Sequence, residues 1–173
     1  RFGATEPRSM MCRFHTQTAG SSLTAQQMEN NLVRTTLEAA AAVLGGTQSL
    51  HTNAMDEALA LPSEKSAELA LRSQQVLACE TGITNVVDPF AGSWYLESLT
   101  DEIENKTMNL INKIDNLGGA VAGIEMDFQQ TEIAQSAFNY QQNLDSKKRI
   151  VVGVNKFKSE NPTEPKLQDI DTK

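Results

Sequence analysis

Two short polar stretches flanking one helix-length run constrain this chain most. Residues 10–18, ending Arg13-Phe14-His15-Thr16-Gln17-Thr18, and residues 47–53, Thr47-Gln48-Ser49-Leu50-His51-Thr52-Asn53, have the extended character of strands. Between them Val33, Leu37, Ala40 and Leu44 recur at helical spacing. Thr24 and Gln27 form a capping-box pattern at the start of that run, and Gly45-Gly46 stops it. Side chains alternate along a strand, so one side of the first presents Arg13, His15 and Gln17, and one side of the second presents Ser49, His51 and Asn53. Buried parallel strands normally read as Val/Ile/Leu runs, and an ordinary (β/α)8 barrel fills its interior with bulky branched side chains. Polar faces of this kind either line a wet or ligand-filled lumen or lie on edge strands in solvent. The residues alone leave both open.

The alternation continues downstream. Pro62-Ser63 starts a helix running to about Glu80, with Ala67, Ala70, Leu71 and Leu77 on one side and Gly82 just past its end. Val86-Val87 reads as a brief strand followed by a loop. A helix over about residues 100–117 carries Ile103, Leu110, Ile114 and Leu117 in register and ends at Gly118-Gly119. Helical stretches at 121–126 and 129–144 follow, and Ile150 to Val154 is a last strand candidate. Strand and helix in alternation predict a parallel α/β architecture. Residues 158–173, polar and holding Pro162 and Pro165, read as a linker or tail.

Charge excludes some functions. The 173 residues carry 15 Lys+Arg and 22 Asp+Glu, a net of −7, with no basic run to neutralise phosphates, so no nucleic-acid partner is expected. The longest apolar stretch, around Ala39 to Leu44, is far too short to span a bilayer, so no membrane partner is expected. No GxGxxG, GxxxxGK[ST] or GxSxG motif occurs. Cys12 and Cys79 form no CxxC, and with two histidines there is no zinc-ligand cluster, so both cysteines are expected as reduced packing residues in a cytoplasmic protein. His15 and His51 singly read as structural histidines. Asp56-Glu57, at a strand end, reads either as a general acid/base pair or as the charged start of a loop or helix. The chain starts at Arg1 without a methionine or a leader, which points to a fragment or processed product.

Residues 13–27, Arg13-Phe14-His15-Thr16-Gln17-Thr18-Ala19-Gly20-Ser21-Ser22-Leu23-Thr24-Ala25-Gln26-Gln27, resemble the coenzyme B12-dependent acyl-CoA mutases. So do Gly45 to Asn53, Asp56-Glu57-Ala58-Leu59-Ala60-Leu61-Pro62, Val87-Asp88-Pro89 with Gly92-Ser93, and Val152-Gly153-Val154-Asn155-Lys156, in the same order. The match covers nearly the whole chain, roughly Arg1 to Phe157, and lies within the catalytic part of the methylmalonyl-CoA mutase family. It implies a partial (β/α)8 TIM barrel: residues 1–145 as its C-terminal strands and helices, and 146–173 as an exit strand and polar tail. It implies a lumen threaded by the pantetheine of an acyl-CoA, capped by adenosylcobalamin, with radical carbon-skeleton rearrangement as the reaction.

Carried over by position, the resemblance makes Gln17, Ser49 and His15 substrate-binding residues. It makes Gly20 a close approach of backbone to the corrin, which suits a residue without Cβ. Asn53 and Glu57 become partners of the adenosyl ribose, and Ala58 and Ala60 small surfaces on the corrin side. Ser21 stands where many methylmalonyl-CoA enzymes have tryptophan, which is compatible with mutases of other branched acyl-CoA esters such as 2-hydroxyisobutyryl-CoA. The family's Gly-Tyr-His-Met-Gln-Glu-Ala-Gly segment and the Asp-x-His-x-x-Gly motif of the cobalt ligand are not in this sequence. No catalytic residue and no metal ligand are therefore assigned to it, and the cobalt is expected on a domain outside it. An isomerase of this type needs the remaining barrel and a B12-binding domain or subunit, and an oligomer is expected. The chain alone is expected to be incomplete, inactive and prone to association through exposed strand edges. The alternatives are a non-catalytic CoA-ester or corrinoid binding half-barrel, and an assembly piece that binds no ligand.

Overall fold

A computed structural model of the chain describes residues 3–160 and 167. Residues up to Pro89 form one compact unit and Phe90–Glu160 a second. No helix among the described residues is long and apolar enough to cross a membrane.

The first unit begins with a single-turn helix, α1 (Pro7–Met10), with proline in its first turn. The sequence reading made Met10 the start of an extended segment. Extended backbone begins instead at Met11, the residue that caps this turn. Strand β1 (His15–Gln17) leads through a 3-10 turn at Gly20–Ser22 to helix α2 (Asn30–Leu44), which returns the chain to strand β2 (Ser49–His51). The strands pair in parallel, His15 with Ser49, Thr16 with Leu50 and Gln17 with His51, as a helical crossover requires. Helix α3 (Glu64–Glu80) follows, capped by Ser63, whose hydroxyl accepts from the backbone N–H of Ser66. It ends before Gly82, whose φ of +71° favours glycine.

Two expectations about α2 are overturned. The Thr24–Gln27 capping box does not form: the helix starts at Asn30, the preceding Glu29 makes no side-chain cap, and Gln27 has φ +50°. Thr24 is committed elsewhere, its N–H and C=O both bound to the Asn31 side chain at 3.0 and 2.8 Å. The helix also turns a different face inward. Asn31, Thr35 and Ala39 are buried, while Val33 is 59% and Leu37 67% exposed. Asn31 drives this. Its Oδ1 also accepts from Arg34, and its Nδ2 also donates to the Met55 carbonyl at 2.8 Å, so all its hydrogen-bonding capacity is used.

Helix α3 buries Ser66, Ala70, Ser73 and Leu77, so Ala70 and Leu77 of the expected face lie inside while Ala67 and Leu71 are exposed. Thr36 Oγ1 on α2 lies 3.3 Å from Ser73 Oγ on α3. Thr52 Oγ1 donates to the Ala70 carbonyl at 2.8 Å, fixing β2 to α3. The buried apolar residues of the described chain are Ala39, Ala54, Ala70 and Leu77, all in this unit. Short side chains let the backbones approach and leave hydrogen bonds to fix the geometry. Cys12 and Cys79 are free thiols but exposed, not packed as expected. Val86-Val87 forms no strand: a 3-10 turn at Ile83–Asn85 precedes it and Val87 is 95% exposed.

The second unit is helical. Helix α4 (Trp94–Asn116) starts one and a half turns before the expected residue 100, and Gly118 and Gly119, both at positive φ, separate it from α5 (Ala120–Glu125). Helix α6 (Phe128–Asp145) lies against α5, and Lys113 of α4 reaches Glu132 of α6 at 3.4 Å. The strand expected at 150–154 is absent. Asn155 holds that segment as a loop: its Oδ1 accepts from Val151 N–H at 2.8 Å, and its Nδ2 donates to the Leu144 and Arg149 carbonyls. A side chain thus takes the backbone group a neighbouring strand would have used. Of the tail expected at 158–173, residues 161–166 and 168–173 lie outside the described residues.

Asn31→Ala leaves three part-buried backbone groups, the N–H and C=O of Thr24 and the C=O of Met55, unpaired. Each such loss costs about 1–3 kcal/mol, so urea denaturation of the assembled protein should show a lowered midpoint. An unchanged midpoint would contradict the role given to Asn31.

Candidate functional site

The parallel register puts His15, Gln17, Ser49 and His51 on one face of the two-stranded sheet, all exposed. Thr16 and Leu50 occupy the other face and are half-buried. The Leu50 carbonyl accepts from Gln74 of α3, so the helix reaches β2 at this residue. On the open face His15 Nδ1 and Ser49 Oγ form a 2.7 Å hydrogen bond whose direction depends on the imidazole tautomer. Gln17 and His51 hold side by side at the C-terminal end of the pair. Their polar side chains can hydrogen-bond an amide-rich ligand.

The open face ends at a held carboxylate. Past β1, Thr18 N–H donates to the His51 carbonyl at 3.1 Å and continues the ladder. The Thr18 hydroxyl donates to Asn53 Oδ1 at 2.6 Å and accepts from the Asn53 N–H at 2.9 Å. Asn53 Nδ2 donates to Glu57 Oε2 at 2.5 Å, and the Ala54 N–H donates to Glu57 Oε1 at 2.8 Å. Glu57, half-buried, thus has one donor on each oxygen and further lone pairs for a ligand. Gly20 borders this cluster: a Cβ built there would lie 3.6 Å from Asn53 Nδ2, an ordinary contact. The turn carrying Gly20 is pinned by Ala19 N–H, which donates to Glu38 Oε2 of α2 at 2.7 Å.

Asp56 and Glu57 do not act as a carboxylate pair. Asp56 is 3% exposed, and its Oδ2 accepts from Ser66 Oγ at 2.6 Å and from Ser63 N–H at 2.9 Å. Burial pushes its carboxyl up, but the bonds from Ser66 and Ser63 outweigh burial and hold it below the ordinary value of 3.8. It anchors the start of α3, where the helix dipole also favours negative charge.

The expected site residues therefore fall into two groups and a remainder. His15 bonds Ser49, with Gln17 on the same face, and Asn53 bonds Glu57 beside Gly20. Ala60 bonds the Asp56 carbonyl through its N–H, and Ala58 is exposed. Thr18 and Asn31 are structural members with no role expected from the sequence, whereas Asp56 takes the place at a helix start that the sequence offered as one of its two readings. A threonine and an asparagine just past successive strand ends, two and four residues before the Gly20 turn and the Glu57 carboxylate, are the available signal. Among the described residues no three His, Cys, Asp or Glu side chains could hold a metal ion together. A shallow cleft lined by Val43, Thr47, Gln74, Leu77 and Thr84, among others, opens at the opposite end of β2, and no ionisable side chain lines it.

The profile of the methylmalonyl-CoA mutase family matches residues 1–173. The chain is 46% identical over 170 residues to methylmalonyl-CoA mutase of Escherichia coli (strain K12), covering 98% of this chain and 24% of that protein. It is 45% identical over 168 residues to the 2-hydroxyisobutanoyl-CoA mutase large subunit of Aquincola tertiaricarbonis, covering 97% of this chain and 30% of that one. It is 46% identical over 153 residues to mitochondrial methylmalonyl-CoA mutase of Bos taurus, 88% and 20% respectively. The chain thus spans about a quarter of the length of such relatives.

Because its folded-state pKa is depressed, Asp56 contributes stability that is whole above its unfolded value of 3.8 and is lost as pH falls through the lower folded value. Asp56→Asn should lower the urea midpoint at neutral pH and flatten its decline in acid. Parallel declines for the two proteins would contradict this assignment.

Proposed function

Since the chain belongs to the methylmalonyl-CoA mutase family, we propose that it is part of an adenosylcobalamin-dependent acyl-CoA mutase that interconverts methylmalonyl-CoA and succinyl-CoA. In this reading residues 1–145 supply C-terminal elements of a (β/α)8 barrel, and 146–173 lead out of it. The observation that carries it is the open polar face of the β1–β2 pair, His15, Gln17 and Ser49, running into the Asn53–Glu57 cluster at the strands' C-terminal ends. Parallel α/β folds place their ligands at that end.

The donor set fits the cofactor. A carboxylate held by two N–H groups accepts well from paired hydroxyls, and the vicinal hydroxyls of a ribose are such donors. Glu57 and Asn53 would hold the nucleoside, while Gly20 offers side-chain-free backbone to the corrin and Ala58 and Ala60 offer small surfaces near it. When bound, the cofactor supplies a cobalt–carbon bond whose homolysis starts the hydrogen transfer. The chain's own work is to bind and orient. Gln17 and Ser49 hydrogen-bond the acyl-CoA, and His15 fixes the Ser49 hydroxyl.

The remaining barrel and a cobalamin-binding domain or subunit are the partners in this reading. The exposed apolar side chains of the first unit, Val33 and Leu37 among them, support a chain that buries more surface on assembly. We assign the assembled enzyme to the cytoplasm, a reducing compartment in which Cys12 and Cys79 stay thiols. The second substrate reading, a 2-hydroxyisobutyryl-type ester, is favoured by Ser21, a small exposed residue beside Gly20.

In the assembled mutase, Ser49→Ala and Gln17→Ala should each raise KM for methylmalonyl-CoA about tenfold, the equivalent of one lost hydrogen bond. Steady-state kinetics on the purified variants provide the check. Unchanged kinetics in both would overturn the substrate assignment.

A further inference from the structure

We propose that Thr18 is a positioning residue that anchors the Asn53 amide and, through it, aims the Glu57 carboxylate at the nucleoside of the cofactor. The inference rests on the reading that Asn53 and Glu57 receive the cofactor's ribose.

An asparagine amide has two ends of nearly equal shape and opposite chemistry: an accepting oxygen and a donating nitrogen. Which end faces Glu57 decides whether that carboxylate is held or repelled. Thr18 anchors the amide. A hydroxyl has one hydrogen, and here one of its two lone pairs accepts from the Asn53 N–H at 2.9 Å. The hydrogen goes to Asn53 Oδ1 at 2.6 Å. With Oδ1 locked to Thr18, Nδ2 faces Glu57 Oε2, at 2.5 Å. Thr18 and Asn53 are 4% and 3% exposed, so water has no access to take the hydroxyl's place. Thr18 cannot touch a ligand itself, and its effect passes only through Asn53.

Without the hydroxyl, Asn53 Oδ1 loses its donor while the backbone N–H of the same residue loses its acceptor. The amide is then held at its nitrogen end alone and turns on its own bond, so it no longer fixes Glu57 in one direction. Glu57 keeps the Ala54 N–H as its one fixed donor, and its other oxygen follows an unanchored amide. Affinity for a ligand that bonds Glu57 falls, while affinity for one that does not reach Glu57 stays the same. Adenosylcobalamin and methylcobalamin are such a pair, since the second lacks the nucleoside above the corrin.

The test uses the assembled full-length mutase and measures both cobalamins by spectroscopic titration, without substrate. Thr18→Val, which keeps the shape and removes the hydroxyl, should bind adenosylcobalamin about tenfold more weakly and leave methylcobalamin unchanged. Thr18→Ser, which keeps the hydroxyl, should match the parent for both. Glu57→Gln and Asn53→Ala report on the underlying reading. If they reduce the preference for adenosylcobalamin and Thr18→Val does not, the role of Thr18 is overturned and the ribose reading stands. If neither reduces it, the ribose reading fails and the inference falls with it. An equal loss of both cobalamins in Thr18→Val marks a merely structural role and overturns the proposal. Should Thr18→Val not assemble, Thr18→Ala replaces it: selective loss of adenosylcobalamin supports the proposal, and parent-like preference or failure to assemble overturns it.

Discussion

The reciprocal pair formed by Thr18 and Asn53 is the constraint on which the rest of the first unit depends. A two-stranded sheet with three residues per strand is marginal by itself. Here its C-terminal end is closed by a side chain that both gives to and takes from one residue of the other strand's exit, at 2.6 and 2.9 Å. Because both residues are buried, breaking the pair strands polar groups away from water, which makes the arrangement unique as well as stable. The Gly20 turn, the Asn53 amide and the Glu57 carboxylate all take their places from that closure.

Around it, hydrogen bonds do what large side chains do in other cores. Among the described residues the buried apolar ones are three alanines and one leucine, whereas Asn31, Thr35, Thr52 and Ser66 are buried as well. Small residues bring α2 and α3 close to the strands, and the polar ones fix register: Thr52 to α3, Glu38 to the turn after β1, Asn31 to the backbones of Thr24 and Met55. The consequence is an apolar exterior. Val33 and Leu37 on α2 lie open, and so, within the second unit, do Trp94 and Tyr95. A chain arranged this way gains its remaining hydrophobic stabilisation by covering those side chains on assembly.

The sequence made the order of elements readable where local signals were strong. Ser63 as cap and Gly82 as stop bracket α3 within two residues, and the alternation at residues 13–17 and 49–51 marks the strands and their shared polar face. Faces of helices were less readable. The apolar stripe at Val33 and Leu37 indicated burial, but the helix packs through Asn31 instead, because a saturated amide outweighs two aliphatic side chains that have nothing here to pack on. The last strand was misread for a related reason. Apolar residues at 150–154 fit a strand by composition, and the side chain of the next residue, Asn155, satisfies the backbone differently. Of the site, the polar side chains were legible through their positions in a long family motif. Thr18 was not, because its importance lies in the direction of its hydrogen bonds, which no residue pattern encodes.

The most direct test of the central claim is a chimera in which this chain replaces the corresponding segment of a related full-length mutase. Conversion of methylmalonyl-CoA to succinyl-CoA would be followed by chromatography with and without adenosylcobalamin. The account predicts cobalamin-dependent turnover by the chimera and none by the chain alone. A chimera that assembles and binds adenosylcobalamin yet turns over no acyl-CoA ester, or turnover by the isolated chain, would contradict it.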